Sequence, residues 1–446
     1  MPPRILLINP WIHDVAAYDL WLKPLGLLVI AGMLRQHGIE ARMVDCLDCA
    51  QPAQRALRPR APVRKSDGSG HFHKTKIECP EALRQFGLPF RRYGIEPQAL
   101  RKAIADQPRP DAVFVTSMMT YWYSGVTETI AHVRDCLPGV PVFLGGVYAS
   151  LCPEHARAHS TADRVFTGAF SPAKLEDMGF TPGPSAATGP AMPDCGLLAT
   201  FGSIPVLTSR GCPNRCPYCA AHMLYPGFEQ YGPQPVLDYI KHWHTRTGAR
   251  DFAFYDDALL VDAGRRFIPL ARGLISMGLP LRLHVPNGLH VRYINEEIAR
   301  LLKAAGFVTL RLGFESADAR MQEDLGGKTS SGDLLRAGRA LLQAGFTREQ
   351  VGVYILAGLP GQEASQVAAS IRFVHDSGLR PFVSEYSPIP GTAMWDSSVT
   401  ASPFPLRDEP LFHNNSLLPC RWESCTPEDI HLLKRFARRA DAPYLC

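Results

Sequence analysis

Short, continuous apolar runs recur along this chain, each followed by a longer stretch with apolar residues at helical spacing. Residues 5–8 form such a run, stopped by Asn9-Pro10, and predict a fully buried strand. Residues 25–36 carry a helical period closed by Gly38, and 39–45 predict a second strand. Residues 112–116 and 142–146 predict two more, with a helical stretch at 126–136 between them, and 164–168 completes the set. Strand and helix alternating in this way imply an α/β fold, a doubly wound parallel sheet over 1–175 with any ligand at the carboxyl ends of its strands.

A polar insertion at 65–92, containing His71, His73, Lys74, Lys76, Arg91 and Arg92, reads either as a solvated surface loop or as a cationic lid. The stretch 176–200, rich in Pro, Gly, Ala and Ser over 181–194, reads as a linker. From 201 to 395 the strand–helix unit returns, with strands at 204–209, 252–255, 281–285, 308–312, 351–356 and 382–386. The intervening helices end near Gly248, Gly278, Gly306, Gly345 and Gly378, and Asp262 and Asn295 are expected as N-caps. Six strands with five helices predict a partial (β/α)6 barrel. Residues 396–446, with Cys420, Cys425 and Cys446, are expected to cap its open side.

Composition narrows the class. The chain has 446 residues, a net charge of +5 and 20% charged residues, which gives no basic field for nucleic acid. No apolar run is long enough to span a membrane. Twelve cysteines with no signal-peptide pattern at the start lead us to expect a cytoplasmic protein that uses thiols for metal or redox chemistry.

The chemistry centres on Arg210-Gly211-Cys212-Pro213-Asn214-Arg215-Cys216-Pro217-Tyr218-Cys219, directly after the first strand of the second half. Three thiolates on one loop can hold three irons of a 4Fe-4S cubane and leave the fourth open. A zinc knuckle needs a fourth ligand, for which only His222 is near. The C-x-x-x-C-x-x-C spacing with an aromatic residue before the last thiol resembles the signature of the radical S-adenosylmethionine (SAM) superfamily. That resemblance implies metal ligation by Cys212, Cys216 and Cys219, SAM chelated at the open iron, and reductive cleavage of SAM to a 5′-deoxyadenosyl radical.

The remaining strand ends then acquire expected roles. Tyr218 flanks the cluster. Of Asp256 and Asp257, one is expected to accept from the amino group of SAM and the other to cap or pair. Glu315 resembles the ribose-binding acid of the superfamily. Gly358-Leu359-Pro360 would form the adenine slot, while Asn287, Arg311 and Ser387 are candidates for the carboxylate and sulfonium. His284 is either a proton-transfer group, the catalytic assignment, or a hydrogen-bonded structural histidine.

The first domain resembles the cobalamin-binding type found before many radical SAM barrels, through Leu7-Ile8-Asn9-Pro10, Pro24-Leu25-Gly26-Leu27-Leu28 and the Gly145-Gly146 turn. The Asp-x-His-x-x-Gly fingerprint is absent. His13-Asp14 stands there instead, with His13 expected as a surface residue, so cobalamin site and retained scaffold both remain open. With cobalamin, the resemblance implies a methyltransferase acting on an unactivated carbon or phosphorus; without it, an oxidase, mutase or cyclase. A non-catalytic iron–sulfur or zinc protein is the alternative of another class. The expected partners are a small-molecule or peptide substrate and an electron donor such as flavodoxin or ferredoxin. Cys46 and Cys49 are expected to be bystander thiols.

Overall fold

A computed structural model describes residues 2–184 and 190–439. Part of the expected linker, 185–189, and Cys446 lie outside the described residues. The chain divides into two compact units, Met1–Pro205 and Val206–Cys446.

In the first unit, β1 (Arg4–Asn9), β2 (Glu40–Asp45), β3 (Ala112–Val115), β4 (Val142–Leu144) and β5 (Arg164–Val165) form one parallel sheet in the order β2-β1-β3-β4-β5. Successive side chains of a strand point to opposite faces. Ile5 and Leu7 pack under Leu27, Ala31 and Leu34, whereas Leu6 and Ile8 pack under Ala99, Leu100, Val126 and Ile130. Burial on both faces explains the unbroken apolar runs. The strand order reverses between β1 and β3, the switch point at whose carboxyl ends open α/β sheets place their ligands.

The insertion is not irregular throughout. Its segments Lys74–Lys76 and Arg91–Tyr93 join Ile12–Asp14 in a three-stranded antiparallel sheet. His13, expected at the surface, is buried in that sheet and pairs with Glu128 at 2.8 Å, and Glu128 also receives Arg92 at 2.7 Å. The described part of the expected linker is likewise packed in place. Asp194 N–H donates to the Leu28 carbonyl at 2.8 Å, and Cys195 is fully buried.

The second unit holds β6 (Ile204–Val206), β7 (Asp251–Phe254), β8 (Arg282–His290), β9 (Phe307–Glu315), β10 (Val351–Ala357) and β11 (Arg380–Glu385), neighbours in sequence order. From β7 to β11 they run parallel. Helices Pro233–Thr247, Phe267–Met277, Glu296–Ala304, Ser331–Gln343 and Ala364–Asp376 connect them. Gly248, Gly278, Gly306, Gly345 and Gly378 all have positive φ, the left-handed turn that ends a helix without a Cβ penalty. Asn295 caps as expected, accepting from Ile298 N–H at 2.9 Å. Asp262 does not: the helix starts later, at Phe267, and Asp262 sits in a turn with φ 51°.

The C-terminal segment packs against the last strand and the last connecting helix of the second unit. Its helix Pro427–Arg438 packs on β11 and on Ala364–Asp376, supplying the sixth helix. Its N-terminus is closed by a reciprocal Thr426–Asp429 capping box. Among the described residues, no helix is long and apolar enough to cross a membrane.

Candidate functional site

The cysteine loop leaves the carboxyl end of β6. Ser209–Arg210 pairs with Glu229–Gln230, which closes the loop at its base. Within it, Cys219 N–H donates to the Cys216 carbonyl at 3.0 Å, turning the chain at Pro217-Tyr218. Met394 N–H donates to the Pro217 carbonyl at 2.9 Å and ties the loop to the segment after β11. Cys216 is buried, Cys212 and Cys219 are half-buried, and none is in a disulfide. No group of three or more His, Cys, Asp or Glu side chains among the described residues converges as ligands of one metal ion do. Thiolates on three corners of a cubane stand farther apart than three on one ion, and three soft thiolates on one loop fit a cluster.

Asp256 builds the approach to that loop. Its Oδ1 accepts from Thr208 N–H at 2.9 Å, from Thr208 Oγ1 at 2.7 Å and from Ser209 Oγ at 2.7 Å. Burial pushes its carboxyl up to about 6. Asp256 is therefore the pairing member of the two acids, although its Oδ2 is buried without a partner. Asp257 is open to solvent at the rim but has protein on most sides, and this desolvation, with Asp256 beside it, pushes it to about 6 as well. Asn287 is spent on backbone: its Nδ2 donates to the Tyr255 carbonyl at 2.9 Å.

Glu315 is the last residue of β9, beyond a register shift between Gly313 and Glu315, with φ 69°. A left-handed conformation is costly for a side chain larger than glycine and survives where its surroundings enforce it. Here they do. Oε1 of Glu315 accepts from Tyr218 Oη at 2.8 Å and from Lys328 Nζ at 2.7 Å, and Lys328 also donates to Tyr218 Oη at 2.7 Å. Oε2 is buried without a partner. An acceptor in that state suits a ligand hydroxyl, as the ribose of SAM would supply. Burial opposes the charge on Lys328, but Glu315 and the thiols outweigh it and hold its pKa above the ordinary value. Burial, with Glu315 alongside, pushes the Tyr218 phenol far up.

Several expected site residues have other occupations. His284 is fully buried, with Nε2 against Asp251 Oδ1 at 2.9 Å and Nδ1 against Thr309 Oγ1 at 3.1 Å. It lies near the start of β8, so the structural role fits it and the catalytic one does not. The rim histidine of β8 is His290, the last residue of the strand, whose Nε2 is 3.4 Å from Asn214 Nδ2 of the cysteine loop. Burial, with Lys328 and Arg292 nearby, lowers its pKa to about 4.

Arg311 sits mid-strand, short of the rim, stacked on Phe382 at 4.6 Å. The amides of Gly358 and Leu359 turn onto Gln362 Oε1 at 2.9 and 3.3 Å, and Leu359 is core, so this turn does not present those amides to an adenine. Pro360 is half-buried beside it. Ser387 Oγ donates to the His413 carbonyl at 2.6 Å, anchoring the C-terminal segment.

In the first unit, Gly146 has φ 96°, and a Cβ there would collide with the backbone of Ser117. Its glycine is required by packing. Gly145 is open, with only the Phe166 carbonyl 3.8 Å from where a Cβ would stand. Around this rim Asn9 Nδ2 donates to Asp45 Oδ1 at 2.7 Å and Ser117 Oγ donates to the Gly145 carbonyl at 2.7 Å. Cys46 and Cys49 are buried, and burial pushes both thiols up, Cys49 to about 12, which keeps them protonated.

Lys328, His290 and Gln362 were not among the residues expected from sequence. The Gly326-Gly327 pair was the available signal for the first. Both glycines have positive φ, and a Cβ on Gly326 would stand 3.8 Å from Cys216 Cα.

Comparison with known proteins agrees with this geometry. Residues 206–374 match the Radical SAM superfamily. An uncharacterised methyltransferase of Pyrococcus horikoshii is 26% identical over 235 residues, 52% of this chain and 47% of the relative. The chain thus spans about half the length of the curated relatives it matches. Among solved structures, the radical SAM methyltransferase TsrM of Kitasatospora setae, with cobalamin and a [4Fe-4S] cluster bound, superimposes with a TM-score of 0.62 at 17% identity, covering 91% of this chain and 76% of its own. The cobalamin-dependent radical SAM enzyme OxsB gives 0.55 at 13% identity, over 86% of this chain and 53% of its own. Residues 206–374 thus match the radical SAM superfamily, and the chain shares the fold of TsrM.

Proposed function

We propose that this protein is a cytoplasmic, cobalamin-dependent radical SAM methyltransferase. The observation that carries the reading is the 2.8 Å hydrogen bond from Tyr218, inside the cysteine loop, to Glu315 at the end of β9. It joins a three-thiol loop to a carboxylate with one unpartnered oxygen on the same rim. Cys212, Cys216 and Cys219 would hold the 4Fe-4S cluster, Glu315 Oε2 would accept from a ribose hydroxyl of SAM, and Asp257 at the rim would accept from its amino group. When bound, the cluster supplies the electron, delivered by a donor such as flavodoxin or ferredoxin, that cleaves the C5′–sulfur bond of SAM.

The chain's own residues then have three tasks. Asp256 holds Thr208 and Ser209 so that the loop leaves β6 in one direction. Tyr218 and Lys328 orient the Glu315 carboxylate. His290, whose pKa burial lowers to about 4, stays neutral beside Asn214 and adds no charge near the loop. For cobalamin, the residues that would meet it are those at the carboxyl ends of β1 and β3 and at Gly145, where a Cβ would have only the Phe166 carbonyl within 4 Å. His13 Nε2 stands 2.8 Å from Glu128, so a cobalamin held here would be bound without a contribution from His13 in this arrangement.

The fold shared with TsrM and OxsB, both described with cobalamin, and the methyltransferase relative support this reading. Anaerobic reconstitution with iron and sulfide should give a brown protein that forms 5′-deoxyadenosine or S-adenosylhomocysteine from SAM under a low-potential reductant. Incubation with hydroxocobalamin and gel filtration should leave it red. A protein that takes up iron but consumes no SAM would overturn the radical SAM chemistry, and one that stays free of corrin would overturn the cobalamin dependence alone.

A further inference from the structure

We infer that Lys328 is a positioning residue that couples the SAM-ribose carboxylate to the cluster loop and shifts the cluster toward its reduced state. The inference rests on the cluster and SAM reading above. Lys328 is remote in sequence from the cysteines, yet its side chain is only 12% exposed and its ammonium bridges Tyr218 Oη and Glu315 Oε1, both at 2.7 Å. The ammonium also stands 5.4 Å from the centre of the Tyr218 ring. Gly326, two residues earlier, backs onto Cys216 and Pro217, which brings this turn against the loop. Arg292 Nη2 donates to the Gly327 carbonyl at 2.7 Å and fixes the turn from the far side.

Two consequences follow. With Oε1 occupied twice, Glu315 turns its second oxygen to the ligand in one orientation, so the carboxylate is set before SAM arrives. Cys216 and Cys219 lie within electrostatic reach of Lys328. A cluster that accepts one electron from its donor becomes more negative by one charge, and a fixed cation in a dry site favours that state. The negative charge of Glu315 partly cancels this effect, so the two residues push the midpoint potential in opposite directions.

The test is an EPR-monitored redox titration of the reconstituted full chain without SAM, followed by SAM binding to the same samples. K328M should move the midpoint to more negative potential, K328R should keep it near the wild type, and E315Q should move it to more positive potential. SAM affinity should fall about tenfold in K328M, the scale of one lost charge-assisted hydrogen bond, and recover in K328R. A K328M midpoint equal to the wild type, or an E315Q midpoint that does not rise, overturns the inference. If K328M fails to retain a cluster, the sign of the E315Q shift decides. A wild-type protein that takes up no cluster overturns the underlying reading instead, so the two failures are told apart.

Discussion

At the carboxyl ends of the first sheet, polar groups are paired with one another: Asn9 with Asp45, and Ser117 with Gly145. At the carboxyl ends of the second, Glu315 is held in a left-handed conformation with one oxygen unpartnered, and Asp256 likewise has a buried orphan oxygen. Both sheets are built from the same strand–helix unit, so the difference lies in the rims. A satisfied rim keeps its shape without a ligand and can hold one by surface fit. A rim with buried, unsatisfied acceptors carries a free-energy cost that a ligand donor relieves.

The largest expected effect concerns thiols, because both units contain a C-x-x-C pair. Cys216→Ala should abolish iron retention and SAM cleavage, whereas Cys46→Ala and Cys49→Ala should leave iron content per chain unchanged. Iron and sulfide analysis after reconstitution checks this, and loss of iron in Cys46→Ala would end the contrast. Next comes the glycine pair. Gly146→Ala places a methyl group against the Ser117 backbone at φ 96° and should cost about 3 kcal/mol or more, or prevent folding. Gly145→Ala should fold normally, with a thermal midpoint close to the wild type. If the first rim takes cobalamin, Gly145→Val should reduce corrin retention without a matching loss of stability.

What was legible in the sequence was what depends on neighbours in the chain. The five terminating glycines and the Asn295 cap act within one helical turn, so their patterns identify them. The cysteine loop was legible because its ligands are contiguous. His284 falls near the carboxyl end only if the strand stops at 285, before Pro286-Asn287-Gly288. In the structure that tripeptide is an irregularity inside β8, with register shifts between Val285 and Leu289, and the strand continues to His290. The rim therefore lies five residues later than the pattern suggested, at His290 instead of Val285. Lys328 and Gln362 were invisible for another reason: each acts on groups brought to it by folding, Lys328 on a tyrosine 110 positions away.

The two buried acids provide a graded test of the same contrast. Asp45 in the first unit and Asp256 in the second are both pushed up to about 6, chiefly by burial. A carboxyl whose folded pKa exceeds its unfolded one binds its proton more tightly when folded, so the contribution of each of these two acids to stability is greatest below about pH 4 and declines as pH rises toward 6. Each could contribute up to about 3 kcal/mol to that decline. Asp256→Asn should flatten the decline and leave the fold intact, since the Asn Oδ1 can still accept from Thr208 and Ser209. Asp45→Asn should flatten it similarly. Denaturant midpoints between pH 4 and 7 read the slope, and an unchanged slope in Asp256→Asn would mean that its orphan oxygen already has a partner.

The smallest effect separates two residues that look alike in sequence, Asp262 and Asn295, in the stretches that follow β7 and β8. Asn295 accepts from Ile298 N–H, so Asn295→Ala should cost about 1 kcal/mol while Asn295→Gly costs only a few tenths. Asp262 has φ 51° and does not start a helix, so its backbone favours glycine. Asp262→Gly should be neutral or slightly stabilising, and Asp262→Ala should cost more than Asp262→Gly. At Asn295 the reason for the same order would be a lost cap, whereas at Asp262 it would be backbone strain. Ser distinguishes them: Asn295→Ser should keep nearly full stability because its hydroxyl can cap, and Asp262→Ser should not, because a side-chain acceptor does nothing for a left-handed residue. Chemical denaturation of the six variants would settle which rule governs each turn, and a stable Asp262→Ser would show that the acid caps after all.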